Sequence, residues 1–504
     1  MSRVIPGMAP EIELKFLCDP ADLARAIEAA PRGKAEDEHH RLVSVYFDTP
    51  NGDLRRAGVT FRVRSTDGRH IQTLKRGEGF NRLEHEVALP SEKPDLTVAP
   101  LADVLSEAER MTLTPTFGVR VLRRQRRVRF NDAEIEIAAD TGEAGDEAAS
   151  TPISELELEL KSGAPAALFD LARSLGEAAP LYLSFEGKAS QGQAVVDGAT
   201  LKARRKDKAT LSSKATTAEA FQTVARNALT QIAANAQVLR QADRPEAVHQ
   251  LRVSARRLRA AIAVFKPLVG GARADALKEE LRWLARTADQ ARNLDVLLTE
   301  SVLPALEDGD GPPGLPRLAA ALEDARRAAH TAVAHAVSSA RFRTLVLDLA
   351  AWIETGAWLS DPDKGLTGLR EEPASDFAVA ALDIRLRKVR RRARGLAKGS
   401  DEARHHLRIE VKKLRYAAEA FEPLFDEARA AKFIDRLKVL QDHLGALNDI
   451  VTAEAMLPAL HLRSTAAFAA GRIVGQRLAG KARLTAKTVK AFKGLDKAPA
   501  FWRA

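Results

Sequence analysis

Glu11, Glu13 and Lys15 stand two apart in the segment EIELKF, so an extended chain puts all three on one side and Ile12, Leu14 and Phe16 on the other. The same separation recurs for Thr60, Arg62 and Arg64, for Arg82, Glu84 and Glu86, and for Glu155, Glu157, Glu159 and Lys161. These polar faces hold little Ser or Thr; they hold clustered carboxylates on some segments and clustered arginines on others. Carboxylates on neighbouring strands can bind a hard divalent cation through oxygen, and arginines and lysines opposite them can grip phosphate oxygens. An antiparallel sheet with its charged face in water would give the same alternation. Closing the sheet into a barrel would bring the two sets together across a lumen.

A second constellation lies further along. His249, Arg252, Arg256 and Arg259 are spaced i, i+3, i+7 and i+10, which is one face of a helix, and His405, Arg408, Lys412 and Arg415 repeat that spacing. The segment VHQLRVSARRLRAAIAVFKPL matches HHLRIEVKKLRYAAEAFEPLF at an offset of 156 residues, the separation of His249 from His405. Arg256-Arg257 thereby matches Lys412-Lys413, and Phe265 matches Phe421. A weaker echo sets Asn293-Leu294-Asp295 against Leu447-Asn448-Asp449. A solvated face with salt bridges is the ordinary reading of a single basic helix. Here the cations recur at matched positions without an acidic neighbour for each, so an external polyanion would relieve their repulsion.

The elements that must position these groups differ between the two parts. Residues 1 to 200 carry 25 Lys+Arg against 33 Asp+Glu, and the remainder 53 against 35, within a net charge of +10. The first part reads as short alternating strands, at Glu11 to Phe16, Thr60 to Arg64, Arg82 to Leu89, Arg123 to Phe130, Glu134 to Ile137 and Ser154 to Lys161. The second is rich in Ala, Leu, Arg and Glu with 3.6-residue periodicity, so it reads as helical. The fold class is therefore α+β and multidomain. We place the first domain at 1–205, a linker at 206–215 and a helical domain at 216–504, whose repeats span about 216–360 and 375–504. Each repeat predicts a bundle of about four helices, the two related by an approximate two-fold. The segment EDGDGPPGLP, Glu307 to Pro316, predicts a loop.

At 504 residues, with 45% apolar and 29% charged residues, the chain is long enough for several cores. Its single cysteine, Cys18, can make no internal disulfide, which fits a reducing compartment. No apolar run reaches the roughly 18 residues of a membrane span, and the start, MSRVIPGMAPEIELKF, lacks a secretory apolar segment. These features predict a cytoplasmic protein with no membrane partner.

The opening Glu-x-Glu-x-Lys, followed in order by YFDTPNGDLRRAGVTFRVR, TLKRG, RLEHEV and ISELELELKSG, resembles the CYTH domain of triphosphate tunnel metalloenzymes over about residues 10 to 200. The resemblance implies an eight-stranded antiparallel tunnel that binds a triphosphate with Mg²⁺ or Mn²⁺ and hydrolyses a phosphoanhydride bond. Glu11, Glu13 and Lys15 would be its catalytic residues. Glu11, Glu13, Glu157 and Glu159 would be metal ligands, with Glu155 on the same face. Lys15, Arg62, Arg64, Lys75, Arg82 and Arg123 would bind phosphate, joined by Arg127 and Lys188. Glu84 or Glu86 would orient water or pair with nearby arginines. One departure stands out: where such domains run Ser-Lys-Ala-x-Arg-Gly, this chain has Gly187, Lys188, Ala189, Ser190, Gln191 and Gly192, so the arginine is replaced by a neutral amide.

The paired His-x-x-Arg helices resemble the CHAD domain over about 215 to 504. That implies inorganic polyphosphate in a basic groove between the bundles and association with polyphosphate granules. His249, Arg252, Arg256, Arg257, Arg259, His405, Arg408, Lys412, Lys413 and Arg415 would line the groove, extended by Arg292 and Lys438. Each histidine would contact phosphate or make a structural hydrogen bond, and Asp295 and Asp449 would orient arginines or cap helices. Two other readings remain open: a binding protein whose tunnel does not turn over phosphate, for which Gln191 is the hint, and nucleic-acid binding by the basic helices. The second is disfavoured, because aromatic residues are only 5% of the chain and none interleave with the basic helices to stack on bases.

Overall fold

Strands whose two faces differ in charge must bury one and resolve the other, and here the apolar face turns outward. Among the described residues, nine strands run β1 (Ala9–Leu17), β2 (Glu38–Asp48), β3 (Val59–Thr66), β4 (Arg69–Arg76), β5 (Asn81–Leu89), β6 (Thr114–Phe130), β7 (Ala133–Gly145), β8 (Ser150–Ser162) and β9 (Tyr182–Ser184). They pair in the order β5-β4-β3-β2-β6-β7-β8-β1-β9. β5 also pairs with the first half of β1, Ala9 to Ile12, so eight antiparallel strands return on themselves. β9 lies along the second half of β1. The computed structural model describes residues 9–33, 36–77, 81–198, 202–205, 211–309 and 311–503. The side chains of Glu11 and Arg82, whose backbones pair across β1 and β5, lie outside the described residues.

Two tight hairpins set the register. Asp67-Gly68 joins β3 to β4 and Asn131-Asp132 joins β6 to β7, each with two consecutive positive φ angles, the geometry that matches strand twist in a two-residue loop. Leu14, Phe16, Ile135, Ile137, Leu156 and Leu158 are all buried on the outer face. Counting helices of nine residues or more, α1 (Pro20–Ala29) packs on β7 and β8, and α2 (Ala166–Ala178) packs on β8 and α1. The charged alternate positions therefore point into the ring. A further helix, α3 (Lys188–Val196), packs on β6, β7 and β8.

The helical unit contains α4 (Thr217–Gln241), α5 (Pro245–Val264), α6 (Ala272–Leu297) and α7 (Leu315–Ser338), which pack in succession as one bundle. α8 (Ala340–Thr355) comes next, followed by a second set: α9 (Ala374–Arg392), α10 (Asp401–Phe421), α11 (Glu427–Met456), α12 (Ser464–Ala479) and α13 (Lys481–Asp496). α9, α10, α11 and α13 repeat the packing sequence, and α5 meets α10 between the bundles. The repeat offset reappears in the core. Phe265 stacks on Phe377 with centroids 4.8 Å apart and lies 5.6 Å from Phe421, while Phe221 is 5.4 Å from Phe265. Phe221 and Phe377 are themselves matched positions, so four equivalent rings close the contact between repeats.

Contacts divide the chain into Met1–Lys202 with Ser339–Gly356, and Ala203–Ser338 with Ala357–Ala504. The division falls just before the expected linker, of which residues 206–210 lie outside the described residues. The segment containing α8 groups with the strands, although the sequence places it at the end of the first helical repeat. No helix among the described residues is long and apolar enough to cross a membrane.

The seating of α3 depends on a glycine: a Cβ at Gly192 would lie 2.4 Å from the Phe117 ring of β6. Gly192→Val is expected to destabilise the strand unit by about 1–3 kcal/mol, as overpacked sites do, read as a lower midpoint in urea.

Candidate functional site: a charged tunnel and a cationic helix pair

Inside the ring, one wall is a closed network of acid and base. Lys188, at the start of α3, places Nζ 2.7 Å from Glu155 Oε2, 2.8 Å from Asp140 Oδ2 and 2.8 Å from Glu157 Oε1. Arg123 of β6 forks onto Asp140, both contacts being 2.7 Å, and reaches Glu157 Oε2 at 2.6 Å. Lys15 Nζ stands 2.6 Å from the other Glu157 oxygen and 3.4 Å from Glu13. Asp140 and Glu155 are fully buried at 0% exposure and Lys188 is 8% exposed. Burial would push the Glu157 carboxyl up, but Lys15, Lys188 and Arg123 outweigh it and hold the acid well below its usual range. Burial likewise opposes the charge on Lys188, and Asp140, Glu155 and Glu157 overcome it, raising its affinity for the proton. Gln191 donates its amide to Glu155 Oε1, so the neutral residue at that position serves the network.

The facing wall is different. Arg62 and Arg64 of β3 make no ion pair with any described residue. Arg62 Nη1 reaches only the Tyr46 hydroxyl at 3.4 Å, and Arg64 Nε only Ser44 Oγ at 3.4 Å. Arg62 Nε is buried without an acceptor. Burial, with Arg62 and Arg123 nearby, lowers the Arg64 guanidinium to about 10. Further along, Lys75 stands 3.2 Å from Glu84, and Glu86 accepts a hydrogen bond from Thr73 at 3.1 Å. These two carboxylates lie among the basic strands.

Glu13 of β1 and Glu136 of β7 are the register partners of Glu159 of β8, so three carboxylates share a row across adjacent strands. Lys161 pairs with Glu159 at 2.7 Å and with Glu136 at 3.6 Å, and Arg127, largely exposed, pairs with Glu136 at 3.2 Å. Among the described residues no group of three carboxylate, histidine or cysteine side chains is placed to hold a metal ion. The row is nevertheless an all-oxygen donor set, which suits a hard divalent cation. Glu13 and Glu159 are its most direct pair, whereas Glu157 is already engaged by three cations.

Asp140, Glu136, Tyr46 and Ser44 were not singled out from sequence. The signal for Asp140 was present: it keeps the even spacing of Glu134 and Glu136 on β7, but two alanines interrupt the pattern. Tyr46 and Ser44 come from β2, where no run of charge marks the inner face.

In the helical unit, α5 and α10 bring their cationic faces together. Arg252 pairs with Asp289 and Arg256 approaches the same carboxylate at 3.7 Å. Arg257 lies 3.4 Å from Glu419 and 5.7 Å from the Tyr416 ring centroid, which Arg415 also faces. Lys413 pairs with Glu410 and Lys438 with Asp435, each on its own helix. Lys412 has no ion pair among the described residues. Burial and the charges of Arg408, Arg256, Arg252 and Arg415 push its ammonium down to about 5. Burial and Arg256 lower Arg408 to about 10, with Asp449 opposing. The Nε groups of Arg257, Arg259 and Arg408 are buried without an acceptor among the described residues, at a typical cost of about 1–3 kcal/mol each, and Arg415 Nε stands 3.6 Å from Glu419.

The two motif histidines part company. His405 donates from Nδ1 to Asn448 Oδ1 at 2.8 Å, a structural bond. His249 Nδ1 is buried with no partner, and burial together with Arg292 lowers its pKa to about 4. Asp295 turns away from the cationic face: it is buried against His330, 2.9 Å from Nε2, and 3.7 Å from Arg326.

The tunnel network yields a prediction about stability. Lys188→Met leaves Asp140, Glu155 and Glu157 one cation short, and breaking such a buried cluster is expected to cost about 3–5 kcal/mol at pH 7. In the native protein the depressed acids Asp140 and Glu157 stabilise above the unfolded carboxylate range and lose that contribution as pH falls. The gap between native and variant should therefore narrow below about pH 4, as measured by denaturant unfolding at several pH values.

Comparison with known proteins agrees with this layout. Residues 9–192 match the CYTH domain and residues 223–458 match the CHAD domain. The inorganic triphosphatase of Haemophilus influenzae is 32% identical over 194 residues, covering 37% of this chain and 54% of that protein. The chain thus spans about half the length of that curated relative. The crystal structure of the CHAD domain from the plant Ricinus communis aligns with a TM-score of 0.52 and 29% identity, over 59% of this chain and 99% of that one. The chain carries a CYTH domain followed by a CHAD domain.

Proposed function

We propose that the strand unit hydrolyses a phosphoanhydride bond of inorganic triphosphate or a related triphosphate compound, and that the helical unit binds inorganic polyphosphate. The observation that carries the first half is the asymmetry of the tunnel: Arg62 and Arg64 are held inside with no ion pair to any described residue, facing an acidic wall whose cations are already matched. Arginines kept unpaired in a low-dielectric interior are preorganised for phosphate oxygens and need no rearrangement as charge develops on them.

Arg62, Arg64 and Lys75 would bind the phosphate chain from one wall, with Arg82, Arg123, Arg127 and Lys188 contributing from their strands and α3. Lys15 would reach it from β1. Glu13 and Glu159, joined by Glu11 and Glu157, would hold Mg²⁺ or Mn²⁺. When bound, such an ion neutralises and polarises the phosphoryl group. Glu84 or Glu86, set among the basic strands, would accept the proton of an attacking water. Gln191 gives little support to a tunnel that binds without turnover, because its amide is spent on Glu155 and Lys188 supplies the local positive charge.

For the helical unit the supporting observation is a cationic surface with too few anions of its own. Arg259, Arg408 and Lys412 have no ion pair among the described residues, Arg252 and Arg256 share the one carboxylate of Asp289, Arg415 shares Glu419 with Arg257, and His249 adds a buried Nδ1 without a partner; a polyanion would satisfy these groups together. Arg257, Lys413 and Lys438 are paired with carboxylates and would contribute at the edge, with Arg292 beside His249. The Tyr416 ring, beside the cluster, is engaged by Arg257 and Arg415, which leaves it little for base stacking. A cytoplasmic protein with this surface would associate with polyphosphate granules.

Phosphate release from tripolyphosphate is expected to require Mg²⁺ or Mn²⁺ and to stop with a chelator. Glu13→Ala should abolish it, and Arg62→Ala or Arg64→Ala should lower kcat/KM by about 100-fold, the usual loss for one charge-stabilising donor. A native protein that releases no phosphate with either metal would refute the catalytic reading.

Lys412→Met should separate binding from stability. Because the folded pKa of Lys412 lies below its unfolded value, the unfolded chain holds a proton that the folded chain rejects between about pH 10 and pH 5, so native stability declines as pH falls through that window. The variant should melt at higher temperature at pH 7, yet bind polyphosphate about tenfold more weakly. In the native protein an anion restores the ammonium, so affinity should rise from pH 8 towards pH 5, measured by titration at constant ionic strength.

A further inference from the structure

The helix α8 stands between the two helical repeats in sequence, yet its segment, Ser339–Gly356, belongs by its contacts to the strand unit. Its start is fixed locally: Ser339 Oγ accepts from the Phe342 amide at 3.2 Å. From there it packs on α2 and on β9. Arg173 of α2 donates from Nη2 to Asp348 Oδ1 at 2.9 Å, an ion pair partly open to solvent. Arg343 lies over the Tyr182 ring at 5.3 Å, with Nη1 3.5 Å from its hydroxyl.

Tyr182 opens β9, the shortest strand of the sheet. Three residues pair with β1, Tyr182 with Leu17, Leu183 with Phe16 and Ser184 with Lys15. A strand of three residues is a weak element by itself and needs cover. Ser184 then accepts from the Glu186 amide at 3.2 Å, and Gly187 caps α3, whose first residue is Lys188. β9 thus touches the backbone of one buried tunnel lysine and lies four residues ahead of the other. Both lysines converge on Glu157.

We propose that α8 is a positioning helix of the tunnel: by clamping β9 it fixes where Lys15 and Lys188 present their ammonium groups, with Arg343 and Asp348 as positioning residues. No contact of α8 with the reacting atoms is involved. The two lysines hold their sites against carboxylate partners at 2.6–2.8 Å, so a small shift of β9 misaligns both at once. A chain cut after residue 205 lacks the helix. The effect on catalysis rests on the triphosphate reading; the effect on β9 does not.

The test uses the full chain and a charge swap. Asp348→Arg and Arg173→Glu each place like charges in contact, and the double variant restores an opposite pair. Each single variant should raise KM for tripolyphosphate by about three- to tenfold with a smaller change in kcat, as loosened phosphate positioning predicts. The double variant should return to within about twofold of native. Hydrogen exchange should quicken in Tyr182–Val196 in both single variants and recover in the double. Arg343→Ala, which removes the ring contact without adding charge, should quicken the same amides. If native protein releases no phosphate, the catalytic reading fails and exchange alone decides the role of α8. Single variants that leave exchange in β9 and α3 at native rates overturn the proposal. So does a rise in exchange spread over the whole strand unit that the double variant does not reverse.

Discussion

Burying charge against charge is the constraint on which the strand unit depends. Three carboxylates, Asp140, Glu155 and Glu157, converge on Lys188, with Arg123 and Lys15 completing the set. Any one of these groups alone inside the ring would be too costly to keep ionised. Together they neutralise one another and pin β1, β6, β7, β8 and α3 to one another from within. The apolar residues of the same strands are thereby free to face outward under α1 and α2. The wall is rigid because each of its charges is held by a partner at 2.6–2.8 Å.

The opposite wall works because its charges are not spent. Arg62 and Arg64 are supported by hydroxyls from Tyr46 and Ser44, which hold a guanidinium in place without cancelling it. A ring with both walls matched would be a stable core with nothing to offer a ligand. A ring with both walls unmatched would repel itself. Placing the matched pairs on one side and the unmatched arginines on the other puts a scaffold and a candidate site in one layer of side chains.

The helical unit solves the same problem less completely. Its pseudo-symmetry is carried by Phe221, Phe265, Phe377 and Phe421, an apolar contact strong enough to bring two basic helices side by side. The repulsion that follows appears as depressed proton affinity at Lys412 and Arg408 and as arginine Nε groups without acceptors. The symmetry is not kept in the polar detail. His405 has Asn448, whereas the residue 156 positions before Asn448 is Arg292, which cannot accept from a histidine, and His249 Nδ1 is buried without a partner among the described residues.

The sequence alone determined the two periodicities, and with them the strand and helix halves, the repeat at 156 residues and most of the described charged positions that face into the ring or meet between α5 and α10. Local alternation shows which residues share a face, but it is indifferent to whether that face points inward. Only closure through β1 and β5, a pairing of residues some 70 apart, turned the charged faces into a lumen. Partner choice was equally beyond reach inside the ring: Glu157 became the centre of a cation cluster and Gln191 a structural amide, because each depends on side chains brought together from distant elements, whereas Lys413 and Lys438 pair with carboxylates three residues away on their own helices. The allegiance of α8 was decided last of all, since an amphipathic helix carries in its sequence the need for an apolar neighbour and nothing that says which one.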